Sequence, residues 1–349
     1  MDINSNYIEW IDVAKGLGII LVIAGHTFCL GISSPLYTFH MPLFFLLSGV
    51  VFNENKYKSP KYLLKMKAKQ ILKPWTIMAM ISLMVCLCIP EWRHNLSLKT
   101  MLIELYTANT NNIQNSSLWY LLCLYMMFVL YIGLSKLKGF KYRLIIIIIL
   151  AVSVLFFKNP ITWISNKYLH LPDNRLPFKI DTAVVAVVFF IVGLWYQGFI
   201  KKIASKTISW IVLFTLATLV YAAGKLNGWT NLNSLDFGNN PLLFYPIAFS
   251  GIWAVIFCSN KIISVRNLIN IADTLKFYGK NSLVIFGFQS LFIRLYLLIF
   301  NHLQGTDMQL YQNYNLYHQV GAFVVVTFVI SPLMVKTLKR LTDLGLKMI

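Results

Sequence analysis

The sequence predicts an all-α, polytopic integral membrane protein of about ten transmembrane helices, with the N- and C-termini both cytoplasmic. Three observations carry that prediction. Hydrophobic residues make up 58% of the 349 and charged residues only 12%, for a mean hydropathy of +0.66. Apolar runs of roughly 15 to 20 residues, enough to cross a hydrocarbon core about 30 Å thick, recur from end to end between charged or Pro/Asn/Gly-rich turns. The basic residues collect in alternate turns, as a fixed orientation in a membrane demands.

In chain order the spans are expected near 11–31, 36–53, 74–90, 118–135, 144–157, 181–200, 207–224, 241–259, 282–300 and 318–336. The first, WIDVAKGLGIILVIAGHTF, is too long for the apolar part of a signal peptide and lacks its small-residue cleavage pattern, so it is expected to stay in the mature protein. The second holds FHMPLFFLLSG, with Pro42 suited to a first turn and Ser48 and Gly49 near the inner end. The third follows a basic loop, with seven lysines from Lys56 to Lys73, that closes on Pro74. The fourth opens at LWYLL, the fifth is a short isoleucine-rich run, and the sixth opens at Asp181. The remaining four are apolar stretches between polar turns, with Arg294 inside the ninth. With the N-terminus inside, twenty-two of the 31 Lys and Arg residues fall in inner loops and the C-terminal tail, seven fall outside, and Lys15 and Arg294 lie within spans. One span more or fewer in the middle would spoil this alternation. No Pro- or Gly-rich linker and no internal repeat divides the chain, so a single transmembrane domain over 1–349 is expected.

Composition also excludes some classes of function. A net charge of +19 would suggest nucleic acid in a soluble protein, but these cations sit in short loops between apolar segments and report orientation, so no nucleic-acid binding is expected. Six histidines form no pair at i, i+4, and Cys29, Cys86, Cys88, Cys123 and Cys258 lie in or beside apolar segments without metal spacing. The histidines therefore argue against a metal site, and the cysteines read as small core residues.

The first span carries ionisable residues where lipid-facing sequence has none: Asp12, Lys15 and His26. At about 100° per residue, Lys15 and His26 fall within roughly 20° of each other and Asp12 within about 40° of His26, so all three share one face. Along the axis the lysine and the histidine are about 16 Å apart. Burying such groups in hydrocarbon costs several kcal/mol, which makes them a functional site by default. Ala14, Gly16, Gly18, Ala24 and Gly25 in the same helix allow close approach of a neighbour or a ligand. A neutral imidazole at that depth suits removal of a proton from a hydroxyl as it attacks an acyl carbonyl.

Lys15 and His26, then FHMPLFFLLSG, a basic stretch ending LKPW, SSLWYLL, PFKIDTAVVAVVFFIVG and YGKNSLVIFGFQ follow one another in an order that resembles the acyltransferase 3 family of membrane proteins, in its fucose 4-O-acetylase-like branch. The resemblance covers almost the whole chain. It implies an enzyme that moves an acyl group, usually acetyl from cytoplasmic acetyl-CoA, to a hydroxyl of a cell-surface polysaccharide or its lipid-linked precursor. No tightly bound cofactor is implied. His26 then becomes the catalytic base or a transient acyl carrier, and Lys15 pairs with Asp12 or with a donor phosphate. Such an enzyme is expected in a bacterial inner membrane.

The lysines of the basic loop suit a donor that carries a pyrophosphate and a ribose phosphate, and they also suit anionic membrane lipid. Lys67, Lys69 and Lys73, with Ser48 and Gly49, are the donor-site candidates. Aligned on Pro74, Lys67 and Gln70 stand where the family carries a paired-arginine motif, and they do not reproduce bidentate arginine contacts. On the acceptor side the candidates are Asp181, which binds sugar hydroxyls or caps its helix, Trp119, which binds substrate or belongs to an interfacial aromatic belt, and Glu91. Arg294 either pairs with one of these acids or snorkels outward, and Gln289 stands where many relatives have histidine. A rival class, an exporter of glycan intermediates with Asp12, Lys15 and His26 as a proton relay, fits the intramembrane charges but lacks repeat symmetry and matching broken helices.

Overall fold

The computed structural model describes residues 9–28, 33–93, 97–108, 112–136, 176–204, 208–304 and 316–343, together with Lys206 and scattered residues between 139 and 152. The chain is all-α. It runs through α1 (Glu9–Thr27), α2 (Ser33–Val50), α3 (Pro60–Lys67), α4 (Lys73–Cys88), α5 (Pro90–Arg93), α6 (Leu98–Thr107), α7 (Trp119–Ser135) and α8 (Ile180–Trp195). It continues through α9 (Gln197–Ala204), α10 (Trp210–Asn227), α11 (Phe244–Ser264), α12 (Ile269–Lys280), α13 (Ser282–Gln304), α14 (Leu316–Val324) and α15 (Ser331–Asp343). Between α10 and α11 lies a small antiparallel hairpin of β1 (Thr230–Asn231) and β2 (Asp236–Phe237), in which Thr230 pairs with Phe237.

Among the described residues, eight helical stretches are long and apolar enough to cross a membrane: Glu9–Thr27, Pro60–Cys88, Ser116–Ser135, Pro177–Trp195, Trp210–Asn227, Pro241–Ser264, Ser282–Gln304 and Leu316–Arg340. The protein is a multi-pass membrane protein. α2 has the length of a span but carries Ser33, Thr38, His40 and Ser48, and it is buried nearly all round. The span expected at 144–157 lies largely outside the described residues, as does Cys29.

Three expectations are corrected by local chemistry. The basic loop ahead of Pro74 is helical from Pro60 onward, because Ser59 accepts a hydrogen bond from the Tyr62 amide and Pro60 presets the first turn. Pro42 lies well inside α2, since that helix begins at Ser33. A proline there removes one rung of the ladder, a loss that packed neighbours tolerate within a membrane bundle. The cysteines are not all core residues: Cys86 and Cys123 are buried, but Cys88 is exposed, because it is the last residue of α4.

Proline also explains both irregular turns. A π turn over Ala68–Leu72 joins α3 to α4 just ahead of Pro74, and another over Val325–Ile330 joins α14 to α15 just ahead of Pro332. The ring of a proline clashes with the carbonyl four residues back, and widening the turn relieves the clash.

α2 is the axis of the bundle, packed by α1, α8, α10 and α11. Lipid removes most of the hydrophobic drive between helices, so close packing through small residues holds them together. At the α2–α8 crossing a Cβ on Gly49 would overlap the Phe190 carbonyl oxygen, and one on Gly193 would overlap that of Leu46. The α1–α12 contact is built the same way, with Gly16 against the Leu275 carbonyl and Gly279 against that of Asp12. Phe45, Phe189, Phe190 and Phe244 fill the interior.

Candidate active site

α1 delivers its ionisable residues to opposite ends of the bundle. At its N-terminal end, the Lys15 ammonium lies 3.8 Å from the Asp12 carboxylate, one turn away. Gly279 lets α12 press on the Asp12 backbone and fixes this turn. Both side chains line an open cleft of about 830 Å³, bordered by Val50 at the end of α2, by residues 51–56 and by Leu194, Gln197 and Lys201 of α8 and α9. Lys15, Lys56 and Lys201 line it with Asp12 and Glu54, so cations outnumber acids. A site of this size and charge suits an extended anionic ligand.

The seven lysines of the basic segment divide by position. Lys56 lines the cleft, while Lys69 and Lys73 are exposed on the helix. Lys67 turns inward, its ammonium 4.4 Å from the centre of the Phe128 ring, 5.6 Å from Phe52 and 5.7 Å from Tyr57. Phe52 also lines the cleft, so this aromatic cage holds a cation against the wall of the cleft. Ser48 donates to the Phe44 carbonyl at 2.8 Å, and Gly49 is occupied by the α8 crossing.

At the other end of α1, His26 is partly open and its Nδ1 is 3.0 Å from the Tyr37 hydroxyl of α2. Gly25 makes this pairing possible: a Cβ there would stand 3.2 Å from the tyrosine ring. Tyr37 is a hub. Its ring meets His26 edge-on with centroids 5.5 Å apart, meets His40 at 4.9 Å, and lies 5.0 Å from Trp229 of the hairpin. His40 is buried and donates from Nδ1 to the Leu36 carbonyl, which can only accept, so its tautomer is set. Arg294 of α13 donates to the Gln114 side-chain oxygen. If Nδ1 of His26 carries the proton and donates to the Tyr37 oxygen, the lone pair of Nε2 is left for a substrate hydroxyl.

The other sequence candidates stand apart from both groups. Asp181 is 1% exposed and accepts from the Thr182 amide at 2.7 Å and the Leu176 amide at 3.3 Å, which ties down the start of α8. Trp119 is 6% exposed and packs edge-on against Tyr120 in the interior. Glu91 lies 3.0 Å from the His302 imidazole at the surface.

Sequence reasoning missed Tyr37, Trp229 and a polar cluster beside Arg294. In that cluster Asn115 donates to Ser82 at 2.9 Å and to the Gly287 carbonyl at 2.7 Å, and Gln289 donates to Ser117 at 2.7 Å. Buried Glu104 accepts from the amides of Asn112 and Ile113 close by in the chain. A run of polar residues from Gln114 to Ser117 at the mouth of an apolar span was the available signal. Tyr37 gave none, because its partnership depends on how α2 folds back on α1.

The structure is thus an α-helical membrane bundle in which one helix carries a charged cleft at one end and a hydrogen-bonded imidazole at the other. The family model described as an acyltransferase domain matches residues 8–336, and the chain belongs to this acyltransferase 3 family. It is an acyltransferase, which requires an acyl donor and an acceptor. No curated protein and no solved structure matches it.

Proposed function

We propose that the protein is an O-acetyltransferase of a bacterial inner membrane, a single domain that moves acetyl from cytoplasmic acetyl-CoA to a hydroxyl of a cell-surface polysaccharide or its lipid-linked precursor. Both termini lie inside, which puts the Lys15 cleft at the cytoplasmic face and His26 toward the acceptor. The observation that carries this reading is the Tyr37–His26 pair, held within a family whose chemistry is acyl transfer.

Lys15 and Lys56, with caged Lys67 behind the cleft wall, offset the phosphate charges of the donor, and Asp12 holds Lys15 in place. From this cleft the thioester arm reaches along α1, about 16 Å by helical rise, to His26. There Nε2 of His26 takes the proton of the acceptor hydroxyl as its oxygen bonds to the thioester carbonyl carbon. The tetrahedral intermediate collapses, the carbon–sulfur bond breaks, and the imidazolium returns the proton to the departing thiolate. Tyr37 orients the ring. The thioester supplies the driving force, so the protein mainly aligns the partners and handles one proton.

The test is purified His26→Ala in proteoliposomes with acetyl-labelled donor and glycan. Transfer should fall by about 10²- to 10⁴-fold, the range for loss of a general base. Transfer at the normal rate in a folded variant removes His26 from the mechanism.

A further inference from the structure

The hairpin between α10 and α11 borders a second, open cleft, of about 380 Å³, at the His26 end of the bundle. Trp229 forms one wall and is 49% exposed. Asp236 and Asn239 bring a carboxylate and an amide to the lining, and Phe237 and Pro241 complete it. The indole also lies 5.0 Å from the Tyr37 ring, and the Tyr37 hydroxyl is 3.0 Å from His26 Nδ1. Tyr37, just outside the lining, therefore links the cleft to the imidazole through one ring contact and one hydrogen bond.

The hairpin is pinned to the start of α2, which carries Tyr37. Thr230 shares a hydroxyl hydrogen bond with Thr38 at 2.7 Å, Ser34 donates to the Gly228 carbonyl at 2.5 Å, and Asn227 donates across the hairpin base to the Phe237 carbonyl at 2.9 Å. Trp229 and Tyr37 are thus held in one fixed relation. A tryptophan near a membrane surface commonly serves as an interfacial anchor. Here it lines a concavity, stands beside hydrogen-bonding groups, and touches the partner of His26, which is the arrangement of a ligand site. An apolar ring face with polar groups at its rim complements a pyranose, whose C–H face packs on the indole while its hydroxyls meet the amide and carboxylate. The volume falls within the roughly 300–1,000 Å³ range of small-ligand sites.

We propose that this cleft is the acceptor subsite, in which a pyranose ring of the glycan stacks on Trp229 and presents a hydroxyl past Tyr37 to His26. The assignment rests on acyl transfer at His26 as argued above.

The test uses the full chain in proteoliposomes with acetyl-CoA and a panel of methyl hexopyranosides and methyl 6-deoxyhexopyranosides. Trp229→Ala should raise the KM for the accepted glycoside by about tenfold or more while the KM for the donor moves less than about twofold, and Trp229→Phe should recover most of the loss. Asn239→Ala, on the exposed rim, should raise the same KM by about threefold and decides the matter if Trp229→Ala does not fold. Glycoside should also quench fluorescence in the native chain and not in Trp229→Phe. An unchanged acceptor KM in the folded variants overturns the proposal and leaves Trp229 as an interfacial anchor. Neither turnover nor quenching with any glycoside overturns it as well. Normal transfer by His26→Ala together with a raised acceptor KM in Trp229→Ala would remove the base and keep the subsite, so the two readings fail separately.

Discussion

The two ends of α1 solve different problems with different materials. The Lys15 end is roomy and charged, with three lysines and two acids around about 830 Å³. The His26 end is smaller and aromatic, with Tyr37, His40 and Trp229 gathered around one hydrogen bond. A phosphate-bearing donor is recognised by charge and needs space. Proton transfer needs a neutral ring held at a fixed angle, and in a low-dielectric setting hydrogen bonds and ring edges do this without adding net charge. On the reading proposed above, a single helix serves donor and acceptor with one kind of site at each end.

The largest effect expected of that division belongs to His26, whose removal should lower turnover by about 10²- to 10⁴-fold without changing donor affinity, as measured by acetyl-CoA binding to His26→Ala. Donor affinity lost along with turnover would merge the two ends into one site. Next comes Lys15→Met, which should raise the donor KM by about tenfold, equivalent to about 1.4 kcal/mol, and weaken its dependence on salt in steady-state assays. Tyr37→Phe should lower turnover by about fivefold, the worth of one hydrogen bond of about 1 kcal/mol, with the donor KM unchanged. The two changes combined should multiply in kcat/KM to within about 0.5 kcal/mol, because the sites share no partner. A larger departure would reveal coupling through α1. The smallest effect is at the cage: Phe128→Leu should remove about 0.5–1 kcal/mol of cation–π interaction with Lys67, read as a small drop in melting temperature and a slight rise in donor KM.

Much of this architecture was legible in the residues. Hydropathy located eight of the ten expected spans among the described residues, because the bilayer imposes a length and an apolar composition on each of them. The face shared by Asp12, Lys15 and His26 followed from helical periodicity alone, and the Asp12–Lys15 pair forms as that geometry requires. What stayed hidden depends on tertiary contact. Lys67, Lys69 and Lys73 look alike in the sequence, yet only the packing of α3 against α7 distinguishes the caged lysine from the exposed ones. Gly49 reads as room for a ligand until α8 is seen to fill it. Trp119, a candidate from the sequence, goes to the interior, while Trp229, which the sequence did not single out, lines an open cleft, because exposure depends on neighbours that are distant in the chain.

The crossing of α2 and α8 carries a consequence for how this chain tolerates change. Elsewhere along that seam a larger residue on one helix can be offset by a smaller one opposite, since side chain meets side chain and volume can be traded. At Gly49 and Gly193 the neighbour is a carbonyl of the other helix, and a main-chain oxygen has no smaller version. Drift in the sequence is therefore free to rewrite the flanks of this seam but must leave these two positions bare, as fixed points about which everything else is renegotiated.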